Sequence, residues 1–213
     1  VLVGVRRAPA LLIGVRDFAR QGVDLVRLES GAFPGAGEVL TDVQNANVDL
    51  YNGRTGDTAG VVGAGALRIA GEALQKNRDE LIGLAMSNGG NTRSDAKFDV
   101  DGAIATLQAF AETGMALGDR KILVDGDAIQ LGRTPRLVGQ HVLTTRQGVA
   151  VHVNAFNFPA WGVAEKLACA LLAGVPVLVK PASATAMVAH RMIELWVTAG
   201  ALPPGAVQLL CGP

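Results

Sequence analysis

Two short segments hold the side chains best suited to chemistry. Asn154-Ala155-Phe156-Asn157-Phe158-Pro159 leaves one apolar run, residues 149–153, and Lys180-Pro181-Ala182-Ser183-Ala184-Thr185 leaves another, residues 175–179. The amide of Asn157 can donate an N–H to a developing oxyanion, and Pro159 is suited to opening the helix that follows. The same amide could equally cap a helix or hold a loop. Lys180 ends a buried strand, where a charged side chain needs a partner such as a ribose or phosphate oxygen. A solvated strand end is the alternative.

The elements around these segments are the most legible part of the chain. Residues 149–153, 175–179 and 207–210 read as strands, and residues 160–173 and 186–199 as helices, giving β-α-β-α-β. The strand runs are apolar throughout rather than alternating, as expected when helices cover both faces of a parallel sheet. Trp161, Ala164, Leu167, Ala168 and Leu171 form one helical stripe, and Val188, Met192, Leu195 and Trp196 form another. Gly174 and Gly200 stand where C-terminal caps belong. In such a sheet, ligands bind beyond the carboxyl ends of the strands, which is where both chemical segments fall.

Upstream, Leu67, Ala70, Leu74, Leu81 and Ala85 predict one amphipathic helix ending before Asn88-Gly89-Gly90. A second runs over residues 101–117, stopped by Gly118. Residues 121–148 hold short apolar runs, Ile122-Leu123-Val124 and Leu137-Val138. With a tight turn expected at Asp125-Gly126, they read as an extended hairpin or arm that adds little core. Residues 1–66 are rich in Gly and Val with weak periodicity and remain unassigned.

Composition excludes several classes. In 213 residues, 49% are hydrophobic and 18% charged, which supports a packed core rather than disorder. Lys plus Arg balances Asp plus Glu, 19 against 19, so no basic field points to nucleic acid or acidic membranes. No apolar stretch is long enough to span a bilayer. Two cysteines, Cys169 and Cys211, without metal-ligand spacing, fit a reducing cytoplasm and no metal site. The chain starts at Val1 rather than Met and stops directly after a strand-like run, so it is expected to be a piece of a longer protein.

The stretch Asn154-Ala155-Phe156-Asn157-Phe158-Pro159-Ala160-Trp161-Gly162, then Glu165-Lys166-Leu167-Ala168 and Val177-Leu178-Val179-Lys180-Pro181-Ala182, closely resembles the cofactor-binding half of the aldehyde dehydrogenase superfamily. The resemblance covers about two thirds of the chain. Gln140-His141-Val142-Leu143 and Ser87-Asn88-Gly89-Gly90-Asn91-Thr92 look most like the semialdehyde dehydrogenases that act on coenzyme A thioesters in bacterial phenylacetate and benzoate breakdown. It implies an α/β, Rossmann-like doubly wound parallel sheet, here an incomplete domain. In that frame, residues 67–120 are the helical part of the cofactor-binding domain, 121–148 an oligomerisation arm and 149–213 the β-α-β-α-β part.

The resemblance also implies roles. Asn157 matches the asparagine that stabilises the oxyanion, and Lys180 the lysine on the adenosine ribose. Ala155 and Phe156 match backbone positions lining the nicotinamide side. Lys166 matches a lysine usable in proton relay, with a surface or structural lysine as the alternative. Ser183 stands where many NAD-preferring members carry glutamate. Without that negative charge a 2′-phosphate is not repelled, which favours NADP over NAD. The implied partners are a small-molecule aldehyde and further copies of the chain, as a homodimer or homotetramer.

The family also needs a nucleophilic cysteine, a glutamate base and a glycine turn beside the pyrophosphate, and none can be located here. The chain alone is therefore expected not to oxidise aldehydes. A catalytically silent α/β binding or assembly module is the competing reading. Cys169 and Cys211 read as ordinary buried cysteines. Gly63-Ala64-Gly65 resembles the start of a dinucleotide fingerprint but lacks the third glycine, with Arg68 in its place, and the preceding strand. His141, His152 and His190 read as satisfied or exposed, with His190 and Glu194 an ordinary surface pair.

Overall fold

The computed structural model describes residues 59–118, 120, 122–144, 148–203 and 205–212. The elements are α1 (Ala59–Lys76), α2 (Arg78–Gly89), α3 (Arg93–Leu117), β1 (Ile122–Gln130), β2 (Val138–Thr144), β3 (Ala150–Val153), α4 (Trp161–Leu172), β4 (Val177–Lys180), a 3₁₀ turn (Ser183–Thr185), α5 (Ala186–Thr198) and β5 (Val207–Leu209). Most of the unassigned opening segment, residues 1–58, lies outside the described residues.

β3, β4 and β5 form a parallel sheet in that order, with Ala150 opposite Val177, Val153 opposite Lys180 and Val177 opposite Val207. Both crossovers step the same way, so their right-handedness puts α4 and α5 on one face. Burial follows. Ala150, His152, Val177 and Val179 point into the core, while Val153 is 59% exposed on the other face. The α/β parallel sheet with packed helices is as expected, and among the described residues the helices cover this one face.

The helical layer packs α1 against α3 and α4, and α3 against α4. Leu67, Leu74, Leu107, Leu167 and Leu171 are all within 1% of full burial, and each contributes about 1.5–3 kcal/mol of apolar transfer. The indole Nε1 of Trp196 donates to the carbonyl of Ala70 at 3.2 Å, tying α5 to α1. Gly63 lies inside α1, where a Cβ would stand 2.9 Å from the Leu171 carbonyl oxygen. It serves close helix packing and not a cofactor loop.

Helix boundaries differ from the sequence reading, beginning with α1, which starts at Ala59 and not at Leu67. The single helix expected to start at Leu67 and end before Asn88 breaks at Asn77 (φ −110°, ψ 21°), whose side-chain amide donates to the Ala73 carbonyl at 2.8 Å and competes with the helical ladder. Its second part runs on through Asn88 and Gly89 before Gly90 closes it in the left-handed conformation, φ 70°. α3 begins at Arg93 rather than Asp101, because Thr92 caps it by accepting from the Asp95 amide at 3.2 Å.

β1 and β2 pair antiparallel as an exposed hairpin. The turn is not at Asp125-Gly126. β1 runs through that pair with an irregularity between Asp125 and Ile129, and the chain reverses over residues 131–137, where Gln130 Nε2 donates to the carbonyls of Gly132, Thr134 and Leu137 at 2.6–3.0 Å. Among the described residues, no helix is long and apolar enough to cross a membrane.

Candidate functional site

The carboxyl ends of β3 and β4 form one rim. The Asn154 amide donates to the Lys180 carbonyl at 3.0 Å, extending the ladder one residue past the Val153–Lys180 pair. Asn157 and Lys180 therefore leave neighbouring parallel strands on the same side. Asn157 is exposed, and among the described residues nothing engages its side-chain amide. Ala155 and Phe156 are exposed beside it, Phe156 by 66%.

Lys180 is half-buried, with its Nζ 3.0 Å from the Pro181 carbonyl oxygen. Ser183 is exposed and its Oγ donates to the Gly212 carbonyl at 2.9 Å, so the loop after β4 is tied to the segment after β5. A cation and a hydroxyl thus stand on one loop, with no carboxylate on that loop to oppose a phosphate. This set fits the sugar and phosphate groups of a dinucleotide.

Lys166 rises from α4 beneath the first loop. Its Nζ donates to Asn154 Oδ1 at 2.6 Å and to the Val153 carbonyl at 3.3 Å, which places the ammonium at the root of the Asn157 loop. Asn154 is 6% exposed, and sequence reasoning gave it no role. Two residues before it, His152 is 4% exposed on the same strand face. Burial and then the Lys166 charge push its pKa down to about 4, so the ring is neutral near pH 7. Its Nδ1 has no partner among the described residues, unlike the satisfied or exposed histidine expected.

The other end of the loop is held from a distance. Asp99 of α3, fully buried, accepts from the backbone amides of Ala160 at 3.0 Å and Trp161 at 2.7 Å. The second loop has a similar tie: Asn88 donates to the Ala184 carbonyl at 3.2 Å and accepts from the Met187 amide at 3.3 Å. Neither residue carries a sequence signal of its role, because the partners lie 61 to 99 positions away.

Beside Asn157 stands a cluster of rings. Phe98, Phe158 and Trp161 meet edge to face, with centroids 5.2–6.2 Å apart. Phe98 is 59% and Phe158 40% exposed, so the cluster offers an apolar wall near the rim.

The decoys fall away from this rim or lack its chemistry. Cys169 and Cys211 are exposed, not buried as expected, since position 169 falls off the apolar stripe of α4. Partial burial still pushes the Cys169 thiol up, which disfavours the thiolate. His190 pairs with Glu194 at 3.7 Å, and Arg191 shares that carboxylate at 3.3 Å. Among the described residues no group of three His, Cys, Asp or Glu could hold a metal ion.

Residues 63–213 match the aldehyde dehydrogenase family. The chain is similar to 3,4-dehydroadipyl-CoA semialdehyde dehydrogenase of Aromatoleum evansii, 44% identical over 84% of this chain and 37% of the relative. It is also similar to D-glyceraldehyde dehydrogenase (NADP(+)) of Thermoplasma acidophilum, 34% identical over 67% of this chain and 27% of that protein. Among solved structures, succinate-semialdehyde dehydrogenase from Burkholderia pseudomallei superposes with a TM-score of 0.66 at 27% identity, covering 83% of this chain and 34% of that one. The chain thus spans about a third of the length of the relatives it matches.

Proposed function

Because the chain belongs to the aldehyde dehydrogenase family, we propose that it is the cofactor-binding portion of an NAD(P)-dependent enzyme that oxidises an aldehyde to a carboxylic acid. The aldehyde is a semialdehyde, with a coenzyme A-linked one favoured by the 44% identical relative. The observation that carries the reading is the Val153–Lys180 register, which brings the Asn157 loop and Lys180 to one rim.

In this reading Lys180 and Ser183 hold the adenosine end of NADP or NAD, with Ala155 and Phe156 on the nicotinamide side. Once bound, the nicotinamide supplies the hydride acceptor. Asn157 donates its free amide to the oxyanion formed when a nucleophile adds to the aldehyde carbonyl. Losing one such donor costs about 10²–10³ in turnover. Lys166, anchored on Asn154, places a positive charge near the same centre and can pass a proton. The ring cluster at Phe98, Phe158 and Trp161 offers apolar contact to the substrate beside Asn157. The absence of a carboxylate at Ser183 supports NADP over NAD.

The exposed hairpin β1–β2 carries apolar side chains such as Ile122, Val124, Ile129 and Leu143 outward, which supports strand pairing with another copy of the chain in a dimer or tetramer.

The test is titration of NADP against tryptophan fluorescence, with Lys180→Ala as the comparison. A saturable change that weakens in the variant supports the reading. No saturable change in the wild type favours a silent binding or assembly module, and equal affinity in the variant removes Lys180 from the site.

A further inference from the structure

From the buried carboxylate of Asp99 we infer that this residue is the positioning residue for Asn157, fixing from α3 the loop that presents the oxyanion donor. The inference rests on the proposed role of Asn157 for its catalytic meaning, and on geometry for its physical content.

α4 lacks the local cap that helices usually carry. Ala160 occupies the cap position, supplies no side-chain acceptor, and the first turn contains no acidic residue. The first amides of a helix need acceptors when buried, and Ala160 is fully buried. Asp99 supplies both, one oxygen to each of the Ala160 and Trp161 amides. A cap imported over 61 residues does more than end a helix. It ties the absolute position of the α4 start to α3, itself buried along Ala96, Val100, Ala103 and Leu107.

The loop between β3 and α4 is thereby fastened at both ends. At its start, Asn154 is held by the Lys180 carbonyl and by Lys166. At its end, Ala160 and Trp161 are held by Asp99, and the Trp161 indole is also held by Thr106 of α3 at 2.8 Å. Asn157 lies midway, without a side-chain partner among the described residues, so its direction is inherited from these anchors. The Asp99 carboxyl is itself pushed above the ordinary aspartate range by burial, which outweighs the two amide donors. The other buried ionisable group beside the loop is His152 of β3, two residues before Asn154; the rest are engaged elsewhere or exposed: Asp101 pairs with Arg78 at 2.5 Å, Lys166 with Asn154 at 2.6 Å, and Asp95 with Thr92 at 2.7 Å, while Lys97 and Glu165 are exposed.

The experiment is nuclear magnetic resonance on the full chain, following amide exchange at Ala160 and Trp161 together with the side-chain amide of Asn157. Asp99→Ala should speed exchange at both backbone amides by about five- to tenfold, the loss of one cap, and shift the Asn157 amide signals, with Leu178 of β4 unchanged. Asp99→Asn, which keeps one acceptor, should fall between. Faster exchange at Ala160 and Trp161 with an unmoved Asn157 signal would reduce Asp99 to a structural cap and overturn the inference. Should the variants not fold, acid titration of His152→Leu, which removes the other buried titratable group beside the loop, decides: the Asn157 and Trp161 signals must share one midpoint, and separate midpoints refute the coupling. Cofactor binding enters none of these readouts, so they stand or fail separately from the proposed activity.

Discussion

The backbone amide of Asn154 and the carbonyl of Lys180 meet at 3.0 Å, joining the exits of two parallel strands. Everything proposed for the site descends from that bond. It brings the Asn157 loop and the half-buried Lys180 to the exits of neighbouring strands, at the end of the sheet where ligands of α/β folds lie.

Ser183→Glu should turn the cofactor preference. A carboxylate at this place would repel a 2′-phosphate and accept ribose hydroxyls. NADP affinity should fall about tenfold or more relative to NAD, equivalent to about 1.4 kcal/mol. Parallel titrations with the two nucleotides measure it, and an unchanged ratio would count against Ser183 as the discriminating position.

His152 should make the fold acid-sensitive. Its pKa is held at about 4, below the ordinary 6.5, by burial and by Lys166. The stability it contributes is therefore fully present above pH 6.5 and is lost as pH falls through 4. The loss amounts to about 3 kcal/mol at most. His152→Leu should remove this dependence, read as a flatter Tm between pH 7 and 4. An equally steep profile in the variant would place the acid sensitivity elsewhere.

Gly102→Ala should disturb the ring cluster. A Cβ there would lie 2.5 Å from ring atoms of Trp161, and that ring is held by Thr106 and cannot simply swing away. Overpacking of this kind costs about 1–3 kcal/mol. Thermal unfolding together with Trp161 fluorescence checks it; an unchanged Tm and an unchanged emission spectrum would contradict the packing described.

Val124→Lys should weaken self-association. Val124 faces Val142 across the hairpin, and the two are 67% and 49% exposed. A charge on this apolar surface discourages strand pairing between copies. Sedimentation should show a smaller species in the variant. The same assembly in both proteins would move the interface off the hairpin.

What could be read in the sequence was local. The strand-helix alternation after residue 148 is written in contiguous apolar runs and in glycines placed where helices end, such as Gly174 (φ 69°) and Gly200 (φ 60°). Asn157 and Lys180 could be placed because each sits at or just beyond the end of such a run. Asp99 and Asn88 could not, because a side chain that caps a helix 61 or 99 residues away leaves no mark at its own position. The break at Asn77 was hidden for another reason: apolar spacing on either side continues in phase, and the interruption shows only in the Asn77 backbone angles and its side-chain bond to Ala73. The exposure of Cys169 and the burial of His152 likewise depend on which face of an element is covered.

The decisive measurement is a nuclear magnetic resonance titration of the chain with NADP, following both loops at once. Signals of Phe156 and Asn157 on one loop, and of Lys180 and Ser183 on the other, should shift together along one saturable curve. Shifts confined to one loop, or two curves with different midpoints, would mean that the two segments do not share a ligand.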